Sequence, residues 1–443
     1  MSLRSPSYPT GRSSRAAVGD SQNNRAARSQ TWLAITARVI AFFALALVVV
    51  FIVADTAGHK LAISDPEGAL LVAPWGSVAS DELAERQLTN SSGELDSVED
   101  LARRALLFDP LDSRAVSLLG LVAERKGDLA RAEALMSLAA ARSWRNPPPH
   151  VWLFAQAIRR GKFDEALAQA DGLLRAYPRY EETIFPILTV FGTDRGALAA
   201  LEGALAANPP WRSAFLARAV VNGANDGLMT QLYQFLMHSR QPPTADEMKP
   251  YLDRLILVGR FEEAYQDWRA TSSPAETVGS YLYNGNFEAP LDGLPFNWIF
   301  DFISGAEIQI TEAPDRGNSR ALRIQFSGAR AKLGRVGQLL MLAPGSYDLE
   351  LAVKSSSLRT ERGPVWQMFC AESRLLLAET KPVMGTTPWT DLKVTFSAPS
   401  SGCAAQWLQL IIPARTASES EIEGEVWFQN FRVTPRRASI DAL

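Results

Sequence analysis

The sequence predicts a multidomain chain of α plus β type: one transmembrane helix, then helical repeats, then a C-terminal antiparallel β-sandwich. Three observations predict this order. Residues 39–54, VIAFFALALVVVFIVA, carry no charge. Gly127 and Gly161 open the similar segments GDLARA and GKFDEAL, 34 residues apart. Beyond residue 272 the pattern changes to short alternating runs broken by Gly, Pro and Ser, the signature of strands.

The chain begins with a basic leader. Residues 1–31 are rich in Ser, Arg, Asn and Gly and hold Arg4, Arg12, Arg15, Arg25 and Arg28 against one acid, Asp20. Such a segment buries little apolar surface and is expected to be a disordered cytoplasmic tail. Residues 32–54 are the expected transmembrane helix, since about 20 apolar residues cross a bilayer. Trp32 suits the interface and Arg38 can snorkel to the headgroups. Arginines precede the span, whereas Asp55, Asp65 and Glu67 follow it. The positive-inside bias therefore puts the N-terminus in the cytoplasm and the bulk of the chain in the periplasm of a bacterial inner membrane. A signal peptide cut after Ala54 is the alternative.

Residues 55–94 read as an extracytoplasmic linker. Residues 95–271 are rich in Ala and Leu, poor in β-branched runs and punctuated by Gly and Pro, which reads as helix after helix. Gly259 opens a third related segment, GRFEEAY, and Asp109-Pro110, Asn146-Pro147, Tyr177-Pro178 and Asn208-Pro209 close successive units. One copy runs through Leu119, Gly120, Ala123, Gly127, Ala132, Met136 and Ala139; a second runs through Leu153, Ala157, Gly161, Ala166 and Pro178. These positions resemble the tetratricopeptide repeat, a 34-residue helix–turn–helix. The resemblance implies a TPR-like α-solenoid that binds a protein partner. The second copy departs from it, with Phe154 where the small Gly falls, and residues 181–258 keep only Ala200 and Ala204. Trp152, Phe154, Phe185, Phe191, Trp211 and Phe215 are expected in the core.

Residues 280–436 are the expected sandwich, with strands near 306–311, 321–328, 337–345, 346–355, 364–372, 391–399, 405–413 and 425–435; residues 437–443 are a tail. Three local features resemble jelly-roll modules of the carbohydrate-binding type. Asn284-Gly285-Asn286-Phe287-Glu288 with Pro295-Phe296-Asn297-Trp298 looks like their first strand. Pro344-Gly345-Ser346-Tyr347 looks like the opening of a middle strand, and Val426-Trp427-Phe428-Gln429-Asn430-Phe431 like the closing one. The resemblance implies glycan binding by loops or by a strand face. It also makes Glu288 a calcium candidate, although Gln429-Asn430 stands where the partner Asp is expected. A neutral amide adds little to a hard-cation site, so no metal and no other cofactor is expected.

Trp366, Trp407 and Trp427 are the candidates for stacking on sugar rings, while Trp389, at the start of a strand, reads as core. Cys370 and Cys403 are the only cysteines. An oxidising compartment would join them as a disulfide; two buried free thiols are the alternative. The three histidines, His59, His150 and His238, are too scattered for a metal site. A net charge of −3 gives no cue for nucleic acid. No phosphate loop, nucleophile elbow or HExxH motif appears. The expectation is a non-enzymatic, membrane-anchored adaptor for cell-surface polysaccharide assembly or export. A pure protein scaffold is the alternative, and a glycan-processing enzyme the third reading.

Overall fold

The computed structural model describes residues 16–90, 94–221, 226–272, 280–301 and 303–436, without the side chains of residues 16–35 and 303. The chain divides into two compact units at Ala157/Ile158.

The first unit is helical. It holds α1 (Ala16–Leu61), α2 (Pro66–Val72), α3 (Ser77–Thr89), α4 (Leu95–Phe108), α5 (Ser113–Arg125), α6 (Leu129–Arg142) and most of α7 (Pro147–Arg159). Within α1, Thr36–Leu61 is long and apolar enough to cross a membrane. At 1.5 Å per residue these 26 residues rise about 39 Å. Helix α1 starts at Ala16, inside the leader expected to be disordered; residues 1–15 lie outside the described residues. Once a helix is nucleated, each further residue adds a hydrogen bond at little cost, so the apolar span extends upstream.

The expected linker 55–94 is corrected by the structure, because α2 and α3 occupy it. Asp65 caps α2 by accepting from the Gly68 N–H at 3.0 Å, and Pro66 takes the first helical position. Small residues then do the packing: Ala62, Ala69 and Ala79 form one cluster. Farther along, Ala84, Leu88, Val98, Ala102, Leu118, Leu119 and Val122 join α3, α4 and α5. Ala123, Ala132, Met136 and Trp152 continue the core through α7. Gly120 lets the Met136 side chain approach, since a Cβ there would meet it at 3.1 Å. Gly127 turns the chain between α5 and α6 at φ 84°, the left-handed region that glycine enters freely.

The second unit begins with seven helices among the described residues: α8 (Phe163–Ala176), α9 (Glu181–Val190), α10 (Arg195–Ala206), α11 (Arg212–Val221), α12 (Asp226–Met237), α13 (Ala245–Leu257) and α14 (Phe261–Ser272). Phe185, Trp211 and Phe215 pack edge to face or tilted in its core. A buried fork joins α11 to α13. Arg212 donates from Nε and Nη2 to the two Glu247 carboxylate oxygens at 2.9 and 2.7 Å, and Ser213 Oγ donates to the same group at 2.6 Å. Thr244 and Glu247 close a capping box at the start of α13.

Among the described residues twelve strands follow: β1 (Ile299–Phe300), β2 (Ile303–Ser304), β3 (Ala306–Glu312), β4 (Arg320–Arg330), β5 (Lys332–Leu333), β6 (Val336–Leu340), β7 (Gly345–Arg359), β8 (Val365–Cys370), β9 (Leu376–Glu379), β10 (Gly385–Ala398), β11 (Gln406–Ile411) and β12 (Glu421–Pro435). They form two antiparallel five-stranded sheets, ordered β1-β6-β11-β8-β9 and β10-β7-β12-β4-β3, with β2 and β5 as a small ribbon. Leu349, Leu351 and Val353 of β7 meet Leu408 and Leu410 of β11 in the core between the sheets. Each of the eight expected strand segments contains a strand, that of 337–345 ending at Leu340. Residues 284–288, expected as a first strand, are instead a turn. Asn284 and Phe287 adopt φ 52° and 57° there, the left-handed region outside the regular strand conformation, and a Cβ on Gly285 would lie 2.0 Å from the Phe431 carbonyl oxygen.

Candidate glycan-binding face

Alternation along β12 sorts its side chains. Val426 and Phe428 point into the core with the inner residues of β4 and β7, so Trp427 and Gln429 face outward. Directly opposite residues in antiparallel pairs share a face. Trp427 pairs with Arg323 on β4 and Lys354 on β7; Gln429 pairs with Ala352, which in turn pairs with Asp391 of β10. A register irregularity between Thr387 and Thr390 breaks the ladder of β10 beside Trp389. Such breaks re-aim side chains, and Trp389 packs with Trp427, Ala313 and Ala321 on this outer face.

The β3–β4 turn folds over the pair of indoles. Asp315 takes φ 63° at its tip. The Trp389 Nε1 donates to the Pro314 carbonyl at 2.7 Å, and the Arg316 guanidinium carbon lies 4.6 Å from the Trp389 ring centroid. With the Gln429 amide turned to present its oxygen, that oxygen accepts from Arg316 Nε at 3.2 Å and Nη1 at 2.5 Å. Lys354 pairs with Asp315, and Arg323 with Glu425 at 2.6 Å. At the other end of the sheet Lys393 bridges Asp348 and Glu350 at 2.9 and 2.8 Å. The hydrogen bonds from Thr395 and Lys393 hold the Asp348 carboxyl below the usual carboxylate range. The face thus combines two indoles with cationic donors and anionic acceptors in alternation.

The tryptophans singled out from sequence do not lie together. Trp366 is 0% exposed, ringed by Trp298, Phe428 and Phe431 with centroids 5.8, 5.6 and 4.8 Å away. It offers no face to a ligand, and the expectation of sugar stacking is corrected at this position. Trp407, 8% exposed, lies on the other sheet opposite Leu339 and Phe369. Arg335 covers it at 5.9 Å while pairing with Asp253 of α13 and Asp301. Only Trp427, 9% exposed, is on the indole-bearing face. Trp389, read from sequence as core, is its half-buried neighbour. The Pro-Trp-Thr interruption of an otherwise alternating strand is the signal that marks it.

Glu288 is exposed in the 284–288 turn. Among the described residues no group of three His, Cys, Asp or Glu side chains is placed to hold a metal ion. Cys370, the last residue of β8, and Cys403, just before β11, form a disulfide with Cα atoms 4.8 Å apart. A cleft of 520 Å³ lies beside it, lined among others by Met341, Pro344, Glu372, Ser401 and Glu262.

No protein-family model matches the sequence, and no curated protein matches it. Solved structures do align. A CBM4 structure shares 14% identity over 35% of this chain and 99% of its own, with a TM-score of 0.26. The CBM22-1 xylan-binding domain from Paenibacillus barcinonensis Xyn10C shares 12% over 37% of this chain and 100% of its own, at 0.24. The carbohydrate-binding module CBM6cm-2 from Cellvibrio mixtus lichenase 5A, in complex with cellotriose, shares 14% over 31% and 92%, at 0.21.

Proposed function

We propose that this protein is a membrane-anchored, non-enzymatic adaptor that binds a glycan through the outer face of its β10-β7-β12-β4-β3 sheet. The observation that carries the reading is the Trp389–Trp427 pair set among Arg316, Gln429, Arg323 and Glu425 on one strand face. Indoles favour the C–H faces of sugar rings, and the flanking donors and acceptors suit hydroxyl groups. The resemblance of 280–436 to carbohydrate-binding modules supports the same reading.

In this proposal the helices form a TPR-like solenoid that holds a protein partner. Helix α1 leaves the N-terminus in the cytoplasm and the remainder in the periplasm, where the protein serves surface-polysaccharide assembly or export. The disulfide fits such an oxidising compartment. Glycan binding is tested with the full chain in detergent on immobilised bacterial exopolysaccharides and β-glucans. Trp389→Ala should weaken a detected interaction about tenfold, the equivalent of about 1.4 kcal/mol. Binding that is undiminished in a correctly folded variant would remove this face from the proposal. Topology is tested by alkaline phosphatase fused after Leu443, which should be active.

A second reading, a protein scaffold that binds no sugar, is favoured by the near-complete burial of Trp366, Trp407 and Trp427. Retention of the partner by the chain together with failure to bind any polysaccharide would select it.

A further inference from the structure

The chain doubles back as soon as it leaves α1. A Cβ on Gly58 would lie 2.6 Å from the Ala73 Cβ. Two residues on, Trp75 donates from Nε1 to Asp55 at 3.0 Å, and its ring stacks on Phe51 at 4.5 Å. Later residues therefore meet progressively earlier ones, and α2 descends along α1 toward the apolar run. Phe51 belongs to that uncharged run, residues 39–54. The α2–α3 turn is thus set at the depth where the span meets its interface, the level tryptophan prefers.

The next turn on the same side reaches the same level. Arg104 of α4 donates twice to the Pro74 carbonyl, at 3.1 and 2.8 Å. Phe108 shares a 560 Å³ cleft with Phe51 and Trp75. Both turns end in exposed apolar side chains: Leu71 is 86% exposed, Leu107 79% and Leu111 78%. The following turn on this side, between α6 and α7, presents Trp144 beside Arg145. The turns at the opposite ends of these helices differ. Asn90 after α3 and Lys126-Gly127-Asp128 after α5 are exposed and polar. Among the described residues of the first unit, the leucines that are more than three-quarters exposed, Leu71, Leu107 and Leu111, all lie on the side that α1 enters. Leu129 at an opposite turn is 52% exposed and Leu138 44%. The more exposed set adjoins the apolar run of α1, which indicates what covers it.

We propose that the α2–α3, α4–α5 and α6–α7 turns form a footing in the bilayer leaflet next to the C-terminal end of α1. Leu71, Leu107, Phe108 and Leu111 enter the acyl boundary, and Trp75 and Trp144 lie at headgroup level. Contiguous exposed apolar side chains of this kind mark an interaction surface, and this one continues the lipid-facing surface of α1 through the Phe51–Trp75 stack. Arg104 and Arg145 beside it suit anionic headgroups. The first unit is then held against the membrane rather than tethered above it. The proposal rests on α1 crossing the bilayer.

The test uses the full chain in vesicles of phosphatidylethanolamine and phosphatidylglycerol. The native cysteines are paired, so Leu45→Cys, Leu71→Cys, Leu111→Cys and Asn90→Cys each accept one NBD label. Quenching by a shallow doxyl phospholipid should be at least about twofold stronger at 71 and 111 than at 90, as for a buried interfacial segment. Quenching at 45 with positions 71 and 111 no stronger than 90 overturns the footing and leaves the span intact. No quenching at 45 overturns the span and the footing with it. A blue-shifted label at 111 that lipid does not quench means that a second copy of the chain covers the surface, which also overturns the proposal.

Discussion

The Arg316 guanidinium carbon sits 4.6 Å from the centroid of the Trp389 ring, and the same group donates twice to Gln429. One turn of backbone, 313–319, thus fixes an indole on β10 and an amide on β12 together. The turn orders this part of the outer sheet face, burying Gln429 and nearly all of Trp427 while leaving Trp389 half-buried, and this and comparable contacts lead to four predictions.

Arg316→Lys keeps the charge and loses the planar fork. A lysine cannot reproduce the paired donation to Gln429. In the glycan reading, affinity for a bound polysaccharide should fall about fivefold, near 1 kcal/mol, with an unchanged melting temperature. Calorimetric titration beside a thermal melt checks both halves.

Joining Cys370 to Cys403 closes a loop with a sequence separation of 33. The chain-entropy estimate for such a loop is about 3–4 kcal/mol. The Cys370→Ala, Cys403→Ala double variant should therefore unfold at clearly lower denaturant. Thiol titration of the denatured, unreduced protein should find no reactive cysteine; two would refute the bridge.

Glu247 is pushed up by burial, but hydrogen bonds from Arg212, Ser213 and Thr244 outweigh that and hold its carboxyl below the ordinary glutamate range. A carboxylate depressed in the folded state stabilises the fold above its unfolded pKa, and the contribution is lost as pH falls through the folded value. Stability of the second unit should drop below about pH 4.5. Glu247→Gln should cost about 3–5 kcal/mol, because it strands the buried Arg212 charge. Denaturant melts between pH 3 and 7 will show the slope lost in the variant.

Asp81 on α3 behaves in the opposite sense. Burial, with the Asp112 side chain adding to it, pushes its carboxyl up to about 9, and its Oδ1 makes no hydrogen bond among the described residues. The folded state then holds a proton that the unfolded chain releases above its ordinary value of 3.8. Stability of the first unit should therefore decline as pH rises from about 4 toward 9. Asp81→Asn, neutral at every pH, should remove this decline and raise the melting temperature at pH 8 more than at pH 5. A parallel pH profile in the two proteins would contradict the assignment.

Much of the chain was legible before any coordinates. Short apolar or alternating runs between Gly and Pro breaks located the eight longer strands, β3, β4, β6, β7, β8, β10, β11 and β12, but not the short β1, β2, β5 and β9, which are too brief to show a period. Gly127, Gly161 and Gly259 marked three helix turns, and each has positive φ, at 84°, 68° and 78°, since only glycine takes that conformation freely. The uncharged run 39–54 marked the helix that is long and apolar enough to cross a membrane.

The sequence alone determined what depends on neighbours along the chain: the long apolar helix, the helix turns, the longer strands and the availability of one cysteine pair. Tertiary structure decided what depends on neighbours in space. It assigned α2 and α3 to residues whose small, alanine-based contacts leave little periodic signal, and it turned 284–288 away from a strand. It also buried Trp366 while leaving Trp389 half-buried on the outer sheet face. Alternation says which residues share a face, but which face is covered is settled only when the second sheet and the helices take their places.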